Sequence, residues 1–144
     1  MVDDIDYLIL NELGNNSRTS FADLGRKINL SASAVRERVQ KLEDNGVIKN
    51  YSTEIDHSKI GYGIEAFIIL KVFSGKLKLF ISDANKFPEM QKAYRITGTQ
   101  NIHMKVTLKN QLHLQQFIDQ LIDYGDTTTH LILSEITPAK SNSF

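Results

Sequence analysis

Arg36 and Gln40 have side chains that could recognise nucleic-acid bases, and they are four positions apart in the sequence. Arginine can form two hydrogen bonds with guanine, and glutamine can form a similar pair with adenine. In an α-helix, a spacing of four places both side chains on the same face. The pattern indicates a base-reading helix, although two solvated residues on a polar helix face would have the same spacing.

The surrounding sequence predicts the elements that would present this face. Residues 18–51 have the pattern of a short helix, a three-residue turn, a longer helix and a strand, which is typical of a winged helix-turn-helix. Ser20 and Ser31 are suitable N-caps for the two helices. Asn29 tolerates the left-handed conformation that the turn requires, and Gly46 is suited to end the longer helix.

Apolar residues recur at helical spacing in this region. A first helix is expected from about Asp3 to Leu13, and the third should run from after Ser31 to about Asn45. The buried stripe of the third helix would consist of Val35, Val39 and Leu42. The opposite side would carry Ser33, Arg36, Glu37 and Gln40.

Other polar and basic residues could contact DNA phosphates. Ser31 and Ser33 could do so with a hydroxyl or backbone N–H at the helix start. Arg38 lies about 60° from the buried stripe, so an ion pair with Glu43 or a helix-one aspartate is as well supported as a phosphate contact. The full set of candidate DNA-binding residues is Arg18, Ser31, Ser33, Arg36, Glu37, Arg38, Gln40, Lys41 and Lys49.

The second half of the chain has a different pattern. Strands are expected at residues 64–73, 93–97, 102–108 and 129–136, with helices at 75–86 and 111–124, the second of which should be ended by Gly125. This βαββαβ order is the ferredoxin-like arrangement. The predicted fold is therefore α+β, with a winged helix-turn-helix domain at 1–55, a hinge at 56–63, a ferredoxin-like domain at 64–137 and a tail at 138–144.

The strand at 64–73 is apolar on both sides. In a ferredoxin-like domain the helices cover only one face of the sheet, whereas a strand that is apolar on both sides is expected where both faces are covered. A second subunit is therefore predicted to cover the other face, giving a dimer.

Composition excludes several classes of protein. The chain has 144 residues, 17 basic and 17 acidic residues, and no cysteine. Its start is acidic and its longest apolar run is five residues, so we expect no signal peptide or membrane span and a cytoplasmic location. The four histidines match no metal-ligand spacing, and no nucleophile or cofactor motif is present. An enzyme, a metal site and a cofactor are not expected.

These residues resemble the Lrp/AsnC, or feast/famine, family of transcription regulators, and within it a small bacillary member. The run from Arg38 to Glu43 followed by Gly46 is the more specific part of the likeness. The segment Ile60 to Tyr62 and the turn at Gly98 agree with it as well. The other matching positions are Asp3, Asp6, Ile9, Leu10, Leu13, Arg18, Leu24, Leu30, Ser31, Val35, Val47, Ile48 and Tyr51.

The resemblance implies DNA readout by the third helix, dimerisation through the C-terminal domain, assembly of dimers into octamers and, in many members, an amino-acid effector. It assigns the effector loop to Gly98, Thr99, Gln100 and Asn101. The family usually has an aspartate at the last of these positions, so here an amide replaces a possible partner for an ammonium group.

Three hypotheses follow for the function. The first is a DNA-binding regulator that reads base sequence or DNA shape. The second is an architectural protein, which bends or wraps DNA with little base readout. A DNA-binding protein of either kind is expected to be associated with the nucleoid in the cytoplasm. The third is an amino-acid-sensing module whose N-terminal helices serve only protein interaction.

Overall fold

A computed structural model describes residues 1–138, and it divides into two compact units. The helical unit spans Met1–Glu54 and the sheet unit spans Ile55–Thr137. Apart from Pro138, the predicted tail lies outside the described residues. Within residues 1–138, no helix is both long enough and apolar enough to span a membrane.

The helical unit contains three helices, α1 (Asp4–Asn15), α2 (Phe21–Ile28) and α3 (Ala32–Asp44). Asp3 and Asp6 form a reciprocal capping box at the start of α1, where each side chain accepts from the backbone N–H of the other residue. The small core between the helices consists of Ile9, Leu13, Leu24, Val35, Val39 and Leu42. The predicted three-helix organisation is confirmed.

The predicted wing strand is wrong, because residues 47–55 form no strand in the described part of the chain. The N–H groups of Val47 and Ile48 both donate to the carbonyl oxygen of Leu42, at 2.9 and 3.1 Å. They close the end of α3 and so are not available for strand pairing. Farther along, the predicted hinge contains a short 3₁₀ helix, His57–Ile60.

The sheet unit has the predicted βαββαβ order. Its four strands form an antiparallel sheet in the order β2-β3-β1-β4. The elements are β1 (Ile64–Val72), α4 (Leu77–Asp83, continued by a 3₁₀ turn at Ala84–Lys86), β2 (Met90–Arg95), β3 (Ile102–Leu108), α5 (Gln111–Leu121) and β4 (Gly125–Leu131).

The last strand begins four residues earlier than the sequence indicated. Gly125, which we expected to end the preceding helix, is the first residue of β4 and lies opposite Val72. A Cβ atom at this position would be 2.1 Å from the carbonyl oxygen of Lys71, so only glycine allows the two strands to approach. β2 also starts earlier than expected, at Met90, because its pairing with β3 begins shortly after Pro88.

The two faces of the sheet differ. One face packs against α4 and α5, and the core there consists of Ala66, Ile68, Leu70, Phe80, Phe87, Ile102, Met104, Val106, Leu108, Phe117 and Leu121. The opposite face, which we call the open face, carries Phe67 with the ring of His103 5.3 Å away, together with Ile69 and Tyr94. Phe67 is 38% exposed and Tyr94 is 57% exposed, so neither helix covers this side.

Candidate nucleic-acid interface

The turn between α2 and α3 has the geometry of a helix-turn-helix. Asn29 is left-handed, with φ 57° and ψ 46°, as the sequence predicted. The N–H of Leu30 donates to the carbonyl oxygen of Gly25 at 2.9 Å and closes the turn. A Cβ at Gly25 would lie 2.3 Å from the carbonyl oxygen of Leu30. Gly25 is therefore a structural requirement that we missed, although a glycine inside a helical pattern is a recognisable signal.

Both ends of α3 are fixed by local hydrogen bonds. The Ser31 hydroxyl accepts from the N–H of Ala34 at 3.2 Å and lies 3.2 Å from the Ser33 hydroxyl. At the other end, Gly46 has φ +71°, its N–H donates to Glu43, and the next N–H donates to Leu42, which is a Schellman motif. The expected caps at both ends are confirmed, so the polar face of α3 has a defined position.

Most polar side chains on the exposed side of α3 are paired within the helix. The Lys41 ammonium is 3.3 Å from the Glu37 carboxylate, and the Gln40 amide donates to Asp44 at 2.9 Å. Arg36 is exposed and has no ion pair or side-chain hydrogen bond within residues 1–138. Of the residues predicted to read bases, Arg36 is thus the one whose donors are all available to a ligand.

Arg38 lies on the flank of α3 and contacts α1. Its Nη1 atom is 2.8 Å from Asp3 and 3.0 Å from Asp6. Of the two interpretations that the sequence supported, this contact favours the ion pair with a helix-one aspartate. The alternative partner Glu43 accepts instead from the hydroxyl of Tyr51, at 2.7 Å.

The other cations of the helical unit fall into two groups. Lys27 pairs with Glu12 at 2.8 Å, which joins α2 to α1, and Arg26 pairs with Asp23. The side chains of Arg18 and Lys49 are exposed and have no ion-pair partner in the described part of the chain. Together with Arg36, they are the basic groups of this unit that are free to contact phosphates.

The predicted effector loop lies between β2 and β3. A shallow depression there is lined by Ile69, Ile96, Thr97, Gly98, Thr99, Gln100 and His103. Asn101 does not line this depression, because its Oδ1 atom accepts from the N–H of Val72 at 3.0 Å. Its carbonyl oxygen accepts from Ile96 at 2.8 Å and closes the turn. The structure therefore gives Asn101 a role in holding the loop.

Two of the four histidines, His103 and His113, have structural surroundings. The ring of His103 contacts Phe67, while His113 accepts from the N–H of Lys109 at 3.0 Å and lies 3.1 Å from Glu89. Across residues 1–138, no group of three or more histidine, aspartate or glutamate side chains could hold a metal ion.

Two family models match the chain. An AsnC-type helix-turn-helix domain matches residues 2–43, and an Lrp/AsnC ligand binding domain matches residues 65–141. Both units of the structure thus fall within described protein families.

Individual relatives match over nearly the full length. The chain is 36% identical to the transcriptional regulator LrpC of Bacillus subtilis, over 94% of each chain. The solved structure of that LrpC superposes with a TM-score of 0.91 at 35% identity, covering 96% of this chain and 99% of the other. A transcriptional regulator of Neisseria meningitidis, solved as a complex with L-methionine, has a TM-score of 0.89 at 24% identity, with 98% and 96% covered.

Proposed function

Since this chain belongs to the Lrp/AsnC family of transcriptional regulators, we propose that it binds double-stranded DNA with α3 as its reading helix. The family is not enzymatic, and its members carry a DNA-binding and a ligand-binding domain. The single observation that supports α3 is Arg36, an exposed and unpaired arginine on the polar face of a helix that is capped at both ends.

Local charge is essential to this proposal. Residues 1–54 contain seven basic and nine acidic residues, a net charge of −2, so the helical unit as a whole does not attract DNA. The free cations Arg18, Arg36 and Lys49 would provide the phosphate contacts, with the hydroxyl of Ser33 beside them. Each contacted phosphate should add about −0.9 to the slope of log affinity against log salt concentration.

We propose that two copies associate through the open face. Covering Phe67, Ile69 and Tyr94 would bury apolar surface that the single chain exposes. Such a dimer would present two reading helices to successive major grooves, roughly 34 Å apart. Further assembly of dimers into an octamer, as the family resemblance implies, is part of the same proposal, as is action on the nucleoid in the cytoplasm.

The association is tested by replacing Phe67 with aspartate. Sedimentation of Phe67→Asp should show a monomer where the wild type forms a dimer or larger species. Leu112→Asp, on an exposed part of α5 with 61% exposure, is the matched control and should leave the dimer intact. A wild-type monomer at micromolar concentration would refute the dimer.

DNA reading is tested by selecting duplexes from a random pool and then measuring the affinity of variants for the selected duplex. Arg36→Ala should lose about 1–3 kcal/mol of binding free energy and discriminate less between sequences. Lys78→Ala removes the same charge from the sheet unit and should change affinity less. Failure of the wild type to bind any duplex at low salt would reject the proposal.

One observation favours a second candidate, an architectural protein with little base readout. Because Gln40 donates to Asp44, Arg36 is the one of the two predicted base-reading side chains that remains unpaired in the described residues, and Glu37 beside it pairs with Lys41. Footprinting separates the two functions. A short protected palindrome supports a site-specific regulator, whereas long protection with periodic hypersensitive sites supports bending or wrapping.

We also propose that the depression beside Gly98 binds an amino-acid effector. The match to a ligand binding domain supports this, and the Neisseria relative was solved with L-methionine. Gln100 and Thr99 provide neutral polar groups at the depression, while Asn101 is held by Val72. Calorimetry with each of the twenty amino acids tests the proposal, and no heat with any of them would leave an effector-independent regulator.

A further inference from the structure

We propose that Arg38 is a positioning residue, which holds α3 against the start of α1 through Asp3 and Asp6 and makes no contact with DNA. The first six residues of the chain would then belong to the DNA-reading apparatus. This inference depends on the proposed function, because it assigns Arg38 a role in positioning the helix that is proposed to read DNA.

The contacts of Arg38 join parts of the chain that are distant in sequence. Its Nη1 atom lies 2.9 and 2.8 Å from the two carboxylate oxygens of Asp3 and 3.0 Å from Oδ1 of Asp6. The side chain of Asp6 is only 11% exposed, and that of Arg38 is 30% exposed. If Arg38 left this site to reach a phosphate, the largely buried carboxylate of Asp6 would lose its partner, which is energetically unfavourable.

The same two carboxylates also organise the first turn of α1. Oδ1 of Asp3 accepts from the N–H of Asp6 at 2.9 Å, and Oδ2 of Asp6 accepts from the N–H of Asp3 at 3.1 Å. The capping box therefore fixes the direction in which the acceptors face Arg38. The hydrogen bond that Arg38 donates to Asp3 lowers the pKa of Asp3, and its hydrogen bonds to the two carboxylates raise the pKa of Arg38, so both partners are charged at neutral pH.

The helical spacing separates Arg38 from the reading surface. Two residues of α-helix correspond to about 200° of rotation, so Arg38 points about 160° away from Arg36. A surface that contacts Arg36 therefore faces away from Arg38. Losing the contact with α1 would instead change the angle and stability of the helix that carries Arg36.

Three charge-neutralising variants at neighbouring positions test the inference. Asp3→Asn, Asp4→Asn and Asp6→Asn each remove one negative charge from the start of α1, and asparagine at position 3 can still cap the helix. Asp4 is exposed and has no ion pair in the described residues, so Asp4→Asn is the matched control. Electrostatics alone predicts that all three variants bind DNA somewhat more tightly.

A positioning role for Arg38 predicts a different order of DNA affinities among the three variants. Asp3→Asn and Asp6→Asn should bind the duplex selected by the wild type about tenfold more weakly, comparable to losing one base contact, while Asp4→Asn should not weaken binding. Asp3→Asn is decisive because Asp3 is exposed, so the variant should fold as the wild type does by circular dichroism. Equal DNA affinity of Asp3→Asn and Asp4→Asn would overturn the inference.

The salt dependence of binding separates positioning from phosphate contact. Arg38→Gln should weaken binding without changing the salt slope, because no phosphate contact is lost, and Arg38→Lys should restore part of the affinity. A slope reduced by about 0.9 in Arg38→Gln would show a direct phosphate contact and overturn the inference. If the wild type itself bound no duplex, the proposed function would fail. This result differs from failure of the inference, in which the wild type binds and the variants do not follow the predicted order.

Discussion

The helical unit and the sheet unit are stabilised in different ways. The sheet unit encloses eleven buried core residues between one face of a four-stranded sheet and two helices. The helical unit encloses six, and its helices are joined by ion pairs between α1 and its neighbours, Lys27 with Glu12 and Arg38 with Asp3 and Asp6. A unit with a small core depends more on caps, tight turns and paired charges.

This difference explains which charges remain available for DNA. In the helical unit, side chains that the sequence presents as one basic group divide into structural and free members. Arg38 and Lys27 contact α1, whereas Arg36 stays on the exposed face. The pairing pattern, rather than the number of basic residues, therefore marks the candidate surface.

The largest expected effect is in the packing of the sheet unit. Phe117 on α5 is fully buried, with its ring centre 6.0 Å from that of Phe87. Phe117→Ala should lower the free energy of unfolding of this unit by about 3–5 kcal/mol, because it leaves a cavity. Leu112→Ala on the exposed side of α5 should change it little. Chemical denaturation measures both, and equal losses would contradict the packing description.

The next effect tests the helical unit at its turn. Gly25→Ala would place a Cβ 2.3 Å from the carbonyl oxygen of Leu30, so we expect a loss of about 1–3 kcal/mol from steric overlap and displacement of α3. Gly14→Ala has no atom within 4 Å of the new Cβ and is the control. If Gly25→Ala melted at the wild-type temperature, the close approach in the turn would be disproved.

A smaller effect is expected at the effector loop. Asn101→Ala removes the acceptor for the N–H of Val72 and should cost about 1 kcal/mol. Asn101→Asp keeps an acceptor oxygen and should be closer to the wild type in thermal melting. If Asn101→Ala melted at the wild-type temperature, the hydrogen bond would contribute nothing measurable to the sheet unit.

The smallest effect concerns Tyr51, whose hydroxyl donates to Glu43 at the end of α3. Partial burial and this hydrogen bond raise the pKa of Tyr51 to about 12. This pKa is higher than the value of about 10 for tyrosine in an unfolded chain. The stabilisation of the fold by the Tyr51 hydrogen bond is therefore complete below pH 10 and is lost as the pH rises through the folded pKa.

Tyr51→Phe should therefore cost less than about 1 kcal/mol at neutral pH. It should also remove one of the tyrosines that ionise late in a titration followed by tyrosinate absorbance. An unchanged late phase in Tyr51→Phe would show that Tyr51 ionises normally.

Local signals in the sequence predicted the ends of α3 well. Ser31 and Gly46 mark the two ends of α3, as expected. They could be recognised because a cap depends only on residues within one turn of the helix end. Asn29 in the turn followed from the same kind of reasoning, since few residues adopt a left-handed conformation.

Signals that depend on distant residues were less informative. The sequence left the partner of Arg38 open, because Asp3 is 35 positions away. Gly125 suggested a helix end, and only its contact with Lys71 explains why it starts a strand. The wing strand was wrong for a local reason, because the N–H groups of Val47 and Ile48 both donate to Leu42 at the end of α3.

The central claim is that the polar face of α3 reads DNA, and fluorescence anisotropy of Arg36→Ala with the duplex selected by the wild type tests it most directly. We predict affinity about ten- to a hundredfold lower than wild type and a smaller preference for that duplex over a scrambled one. Equal affinity of the two proteins for both duplexes, with the wild type bound and folded, would contradict the claim.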